Sequence, residues 1–379
     1  MSSTSITGRS SGPASALRIG LVGPLPPPAG GMANQTVQLA RLLRAEGHQV
    51  ELIQVNAACR PAWAGRLKGI RAVVRLLPFV AALWRAAGRQ DLFHVMANSG
   101  LSWHLYAAPA IWIGRLRGCP VVINYRGGEA GTFLDAAEAW VRPSLVRADA
   151  LIVPSGFLGA VFGKFGFAAT VVPNIINLER FSAAPAPPAR PLSLLVARNL
   201  EPIYDNATAL RAFAIVRAAH PLARLVVAGC GPERARLAQL AAELALGSAV
   251  TFAGRLDPDQ MAALYRGADV MLNPSLVDNM PNSVLEALAS GVLVVSTNVG
   301  GVPYMVDDGS TALLVPPASP QAMADAVLRL LNDAALAEAM RAAGLRCAQQ
   351  YTWDSVRPRL LQVYHTILAK STSTAAIPS

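Results

Sequence analysis

The chain has 379 residues, 53% of them hydrophobic and 15% charged, which excludes a disordered chain and leaves length for two full cores. Its formal charge of +10 is unevenly placed: residues 1–190 hold 19 Lys and Arg against 8 Asp and Glu, whereas residues 191–379 hold 14 against 15. The first half therefore favours an anionic surface or acceptor, but no aromatic-interleaved basic stripe accompanies the charge, so nucleic acid is excluded as a partner.

Residues 1–16 lack the apolar core of a signal segment and are expected to form a disordered tail. Leu17–Val22 is an apolar strand, followed by Gly30-Gly31 and a helix over Asn34–Glu46, the opening of a doubly wound domain. The bare backbone of Gly30 and Gly31 lets a phosphate approach the helix start, or simply makes a turn. His48–Val55 is a second strand. Trp63–Gly88 is basic and amphipathic, with Arg66, Lys68, Arg71, Arg75 and Arg85 opposite large apolar residues, and Pro78 should kink or divide it. Two readings stand for this segment: a helix lying on an anionic membrane surface, or one packed on the sheet with a solvated basic face.

Asp91–Met96 is a strand, Leu101–Leu116 a helix and Pro120–Tyr125 a strand that ends in Arg126, Gly127 and Glu129. Leu92–Gly114 has no Asp, Glu, Lys or Arg, but its histidines, serines and Pro109 break it into strand, turn and helix rather than a membrane span. A strand-end arginine suits a phosphate or carboxylate, or pairs with a nearby acid. Ala148–Pro154 and Ala169–Pro173 complete the sheet. The proline-rich tract 182–191 cannot continue a sheet and is read as a linker between a domain at 17–181 and one at 192–352.

The second domain opens with the strand Leu192–Ala197 and Arg198, then the strand Ala223–Ala228, the glycine turn Gly229 to Gly231 and a helix over Arg234–Leu246. Asp257-Pro258-Asp259 has the spacing of a metal-binding acidic pair, but Asp257, Pro258 and Gln260 read better as a capping box. After the strand Ala268–Leu272 comes the most informative stretch, Asn273–Val306: strand end, polar loop, a helix from Asn282 or Ser283 to Gly291, strand, glycine turn. Unpaired amides at that helix start suit a phosphate. Asp278 and Glu286, which flank it, can accept hydrogen bonds from neutral hydroxyls, a combination that fits a sugar nucleotide. Leu313–Val315 is a last strand, Pro320–Asn332 and Ala335–Tyr351 are helices, Trp353–Ala369 is a further helix and 370–379 a disordered tail. The cysteines, Cys59, Cys119, Cys230 and Cys347, lack zinc or disulfide spacing, so a reducing cytoplasm is expected.

The stretch from Asp278 to Pro303 resembles the donor site of the retaining glycosyltransferases of family 4, the group 1 glycosyltransferases. Their signature is Glu, seven residues, Glu, a small-residue helix, a buried strand and a Gly-Gly-Pro turn. Here Asp278 and Glu286 take the two acidic places, and Gly300, Gly301 and Pro303 the turn. The resemblance implies an α/β protein of GT-B architecture, two Rossmann-like doubly wound parallel-sheet domains facing a central cleft, with 353–369 crossing back to the first domain. It implies that Gly30 and Gly31 face the donor, that Arg198 grips the diphosphate and that the backbone near Gly254 and Arg255 meets the base, while Gly229 and Gly231, from their place at a strand-to-helix turn, read as a nucleotide-facing loop. Asn279, Met280, Pro281, Asn282 and Ser283 would carry the phosphates, Glu286 the ribose and Asp278 the donor sugar.

Arg126-Gly127 stands where the family often has His-Gly, so Arg126, Gly127 and Glu129 are assigned to acceptor or donor contact. Two departures are plain: the family's lysine after Arg198 is absent, leaving Asn199 or the other domain to compensate, and Tyr304 replaces a common glutamate. The implied function is metal-independent, retaining transfer from a nucleoside diphosphate sugar, with no cofactor, to a glycan or lipid-linked acceptor, in the cytoplasm or at the inner face of the membrane. The alternatives are a nucleotide-sugar or anionic-glycan binding scaffold without efficient turnover and, third, an epimerase of the same fold.

Overall fold

The computed structural model describes residues 16–27, 30–57, 70–183 and 190–375. The first domain runs β1 (Arg18–Gly23), α1 (Gly31–Ala45), β2 (Gln49–Gln54), α2 (Ile70–Ala87), β3 (Leu92–Ala97), α3 (Ala108–Arg117), β4 (Val121–Tyr125), α4 (Ala130–Leu145), β5 (Ala150–Val153), α5 (Gly156–Lys164) and β6 (Thr170–Val171). The second runs β7 (Ser193–Ala197), α6 (Asn206–Ala219), β8 (Arg224–Ala228), α7 (Arg234–Glu243), β9 (Val250–Gly254), α8 (Pro258–Arg266), β10 (Val270–Asn273), α9 (Asn282–Ala289), β11 (Leu293–Thr297) and β12 (Leu313–Val315). The helices α10 (Pro320–Asn332), α11 (Ala334–Gln349) and α12 (Trp353–Ala375) close the chain.

Each domain holds one six-stranded parallel sheet, in the order β2-β1-β3-β4-β5-β6 and β12-β11-β10-β7-β8-β9. Alternate residues of a strand enter opposite faces. In β3, Phe93 and Val95 join the core under α2 to α5, whereas Leu92 and Met96 join the core under α1 and α12. Helix α12 thus leaves the second domain and buries Val356, Leu360, Tyr364 and Ile367 against the first sheet. The strand order reverses between β1 and β3 and between β7 and β10, and open α/β sheets bind ligands beyond the strand ends at such points.

Several expectations are corrected. The helix expected over Leu101–Leu116 is helical throughout, but Trp103–Ala107 widens into a π-helical turn before α3, because Pro109 has no N–H for the α-helical ladder. Pro78 sits inside one continuous α2 and does not divide it. Helix α12 runs past Ala369 to Ala375, so the expected 370–379 tail is helical as far as Ala375; after Pro358 no Gly or Pro interrupts the chain before Pro378. Residues 1–15 of the other expected tail, the middle of the 182–191 linker, and Arg66 and Lys68 lie outside the described residues, as do the side chains of Arg71 and Arg75.

Candidate active site

A cavity of about 680 Å³ lies between the two sheets' strand ends. It is lined from the first domain by Gly30, Gly31, Arg126 and Glu129, and from the second by Arg198, Asn199, Gly229, Gly254, Arg255, the run Asp278 to Ser283, and Glu286. Of the residues singled out in the sequence, Gly127 and Gly231 do not line it. A Cβ on Gly127 would stand 2.5 Å from Asn98 Oδ1, and one on Gly231 2.3 Å from Leu200 O, so both glycines serve close packing behind the cleft wall. Gly30, by contrast, has open space where a side chain would project, and a Cβ on Gly31 would meet only Asn282 Nδ2, at 3.8 Å.

The glycine turns fix where the functional loops sit. Gly300, at φ +53°, and Gly301 press on the loop after β10: a Cβ there would lie 2.0 Å from Asp278 O and 1.7 Å from Asn279 O. Gly301 N–H donates to Asp278 O (3.0 Å). Gly229, at φ +153°, packs the same way on Arg198 O. Only glycine permits these approaches.

At the centre, Arg198 donates from Nη2 to Asp278 Oδ2 at 2.6 Å, and both side chains are about nine-tenths buried. The Asn279 amide donates to Asp278 Oδ1 (3.0 Å), so each Asp278 oxygen already has a partner. The Tyr204 ring stacks on the Arg198 guanidinium at 4.0 Å. Arg198 Nε remains buried without a partner, as does Ser283 Oγ in the first turn of α9. No side chain caps α9, whose N-cap position is Pro281. Unmatched donors therefore converge at a helix start, the arrangement that stabilises a group with several acceptor oxygens and negative charge.

Glu286 lies one turn into α9 and keeps part of its surface toward the cleft. Burial of the rest pushes its carboxyl up to about 7, against the opposing pull of the Tyr265 hydroxyl and the Arg198 cation. Tyr265, wholly buried in α8, donates to Ser283 O (3.1 Å) and ties the two helices together.

Across the cleft, Arg126 donates from Nε to Asn124 Oδ1 (3.2 Å) and from Nη1 to Asn174 Oδ1. Asn174 in turn donates to Met280 O (3.0 Å) and Asn282 Oδ1 (2.7 Å), joining the first domain to the start of α9. Because Asn124 turns its oxygen to Arg126, its amide nitrogen faces His94 Nε2 (3.0 Å), which must accept. His94 Nδ1 then carries the proton and donates to Tyr364 Oη of α12 (2.7 Å). Burial holds His94 down to about 3, so it stays neutral, while Arg126, lowered to about 10, stays charged. Among the described residues no carboxylate lies within ion-pair distance of Arg126.

Asp257 is a helix cap, accepting from Asp259 N (2.9 Å) and Gln260 N (2.8 Å), while Gln260 returns a bond to Asp257 N (3.0 Å). Asp259 pairs with Arg180 at 2.8 Å. Sequence reasoning missed Tyr204, Tyr265, Asn174, Ser155, which donates to Asn279 Oδ1 (2.6 Å), and Gln35. Only Asn174 carried a local signal, as a polar residue after Pro173 in an otherwise apolar run.

Two family models match adjoining parts of the chain, together residues 29–346. Glycosyltransferase Family 4 covers residues 29–180 and Glycosyl transferases group 1 covers residues 179–346. Among curated relatives, a glycogen synthase from Mycobacterium tuberculosis is 27% identical over 88% of this chain and 91% of its own. A GDP-mannose-dependent alpha-(1-6)-phosphatidylinositol monomannoside mannosyltransferase from the same species is 31% identical over 68% of this chain and 74% of its own. Among solved structures, the Anabaena protein HepE in complex with UDP and glucose superposes with a TM-score of 0.70 at 17% identity, over 93% of this chain and 99% of that one. That likeness establishes the GT-B fold.

Proposed function

The chain belongs to the family 4, group 1 glycosyltransferases, and from that premise we propose that it transfers a sugar with retention from a nucleoside diphosphate sugar to a hydroxyl of a glycan or lipid-linked acceptor in bacterial polysaccharide assembly. The observation that carries the reading is the convergence of buried, unmatched donors, Arg198 Nε and Ser283 Oγ, with the uncapped start of α9. A diphosphate supplies the oxygens and the charge that would satisfy all of them. The names of the mycobacterial mannosyltransferase and of the Anabaena complex, with their GDP-mannose, phosphatidylinositol and UDP, support the substrate classes.

In this reading Glu286 accepts from the ribose hydroxyls, and the amides of Met280 to Ser283 hold the phosphates. Asp278 orients Arg198 and offers its remaining lone pairs to the donor sugar. The anomeric C–O bond to the diphosphate breaks as the acceptor oxygen bonds to the same face of that carbon, and the acceptor proton passes to the departing phosphate oxygen. Charge developing on that phosphate is stabilised by Arg198 and the helix start. Asp257 and Asp259 are engaged in the cap and with Arg180, which favours a metal-independent mechanism. In this reading the reaction takes place in the cytoplasm, or at the membrane's inner face where the acceptor is lipid-linked.

One observation favours the alternative of a binding scaffold without efficient turnover: Arg198, already lacking the family's neighbouring lysine, is neutralised by Asp278. A thermal-shift panel of UDP, GDP, ADP and their sugar conjugates separates the two, with nucleoside diphosphate release measured alongside. At a hundredfold excess over Kd the correct donor should stabilise the wild type by about 2.7 kcal/mol, and Glu286→Ala should lose the response. Stabilisation without release of nucleoside diphosphate, across the available acceptors, would leave only the scaffold.

A further inference from the structure

We propose that the first domain's wall of the cleft holds an anion site of its own, built on Arg126 and Asn98, and that this site takes the carboxylate of an acidic sugar. That the ligand is a sugar rests on the proposed function; the site itself rests on the geometry of the wall.

The sheet brings the two residues together. Ala97, the last residue of β3, is in register with Tyr125, the last of β4, so Asn98 and Arg126 are the next residues on neighbouring strands, and Arg126 N–H donates to Ala97 O (2.9 Å). Gly127 lets the two loops close, since a Cβ there would stand 2.5 Å from Asn98 Oδ1 and 2.6 Å from Ser99 Oγ. Both Asn98 and Arg126 line the cavity. Asn98 Oδ1 accepts from Ser99 N–H (2.8 Å), which fixes the amide and leaves Nδ2 as a donor. Arg126 engages Asn124 through Nε and Asn174 through Nη1, which leaves both hydrogens of Nη2. Among the described residues neither Asn98 Nδ2 nor Arg126 Nη2 has a partner. Neither atom is sealed from solvent, so both open on the cavity.

The surroundings decide what this pair of donors can hold. Asn98, Asn124 and Asn174 are uncharged and His94, behind Asn124, is neutral. Glu129 lines the same wall but lies beyond ion-pair distance of Arg126. A cation held only by amide oxygens is costly to bury unless a ligand completes it. A carboxylate brings one negative charge and two acceptor oxygens, one for Nη2 and one for the Asn98 amide. A phosphate monoester would leave a second negative charge among neutral groups, on the wall that already carries Glu129. The donor's diphosphate is kept from Arg126 by Asn174, whose oxygen lies on the guanidinium and whose amide donates to Met280 O (3.0 Å) and Asn282 Oδ1 (2.7 Å) at the start of α9.

The test is calorimetric binding to the full chain with paired probes that differ by one carboxylate. For the donor they are UDP-glucuronate against UDP-glucose and GDP-mannuronate against GDP-mannose; for the acceptor, a disaccharide ending in glucuronate against one ending in glucose. Wild type should favour the acidic member of at least one pair by roughly 10- to 100-fold, and the pair that responds identifies donor or acceptor as the source of the carboxylate. Arg126→Gln should remove the preference and Arg126→Lys should keep part of it. Asn98→Asp keeps the acceptor for Ser99 N–H and both braces of the guanidinium; by setting an acid beside Arg126 it should also remove the preference, and it carries the test should the Arg126 variants not fold. Bare UDP and GDP should bind the variants as they bind wild type. No preference in any pair, or an Arg126→Gln variant that loses bare nucleoside diphosphate as strongly as the acidic probe, would overturn the proposal, the second outcome assigning Arg126 to the diphosphate. Nucleotide binding without a preference for acid defeats this site and spares the proposed function, whereas binding of the acidic disaccharide without any nucleotide defeats only the function.

Discussion

Arg126 and Arg198 occupy equivalent places in the two domains, each just past the end of an inner parallel strand at the wall of the same cleft, and they are held in opposite ways. Arg198 is paired with a buried carboxylate and stacked on Tyr204. Arg126 is gripped by the amide oxygens of Asn124 and Asn174. An ion pair orients a cation and cancels its field; amide oxygens orient a cation and leave its charge for whatever enters the cleft. An uncancelled positive charge therefore stands on the first domain, joined through Asn174 to the start of α9.

The largest effect expected from breaking this contrast is at Arg198. Arg198→Met should lower transfer by about 100- to 1,000-fold and stability by about 3–5 kcal/mol, because Asp278 is left buried and alone. Adding Asp278→Asn should restore most of the stability in urea denaturation and little of the rate. A double variant that regained the rate would show that Arg198 acts only by neutralising Asp278.

Arg126→Ala should cost less. Losing a charge-assisted bond of about 1.5–3 kcal/mol should raise the KM of one substrate, donor or acceptor, by roughly 10- to 100-fold. Measuring both KM values identifies which substrate carries the anion; two unchanged values would reduce Arg126 to a brace for Asn124 and Asn174.

The smallest effect is read through Glu286. Its carboxyl is raised from 4.5 to about 7 in the fold, so the protonated form is the one the fold favours. Its contribution to stability is thus fullest below about 4.5 and is lost as pH rises through about 7, by about 1–3 kcal/mol after allowance for the face open to the cleft. Glu286→Gln should flatten that profile. Nucleotide binding should run the other way, strengthening as the carboxylate forms. The Arg198 cation pulls this carboxyl downward, so Arg198→Met should move the midpoint higher while Arg126→Ala leaves it in place.

The site was legible in part for a physical reason. Asp278, Glu286 and the glycine turns carry local signals: a helix start, two acids one loop apart, residues that only a crowded backbone requires. Tyr265 had no such signal, because its place in α8 fits the apolar period of an ordinary core position, and its hydroxyl matters only where α8 meets α9. Gly127 and Gly231 looked like ligand loops because a glycine beside a strand end serves a bound phosphate and a packed carbonyl equally well.

By itself the sequence determined the two doubly wound domains, through apolar periodicity and strand-end glycines, and the donor loop, through spacing within a single stretch. These are local properties, set by which residues share a strand, a turn or a helix start. Tertiary structure alone decided that Asp278 neutralises Arg198 across 80 positions of chain, that Arg126 keeps its charge, and that His94 is a neutral link between α12 and the cleft. Charge state and pairing depend on burial and on partners brought together by the packing of separate elements, and no spacing along the chain encodes them.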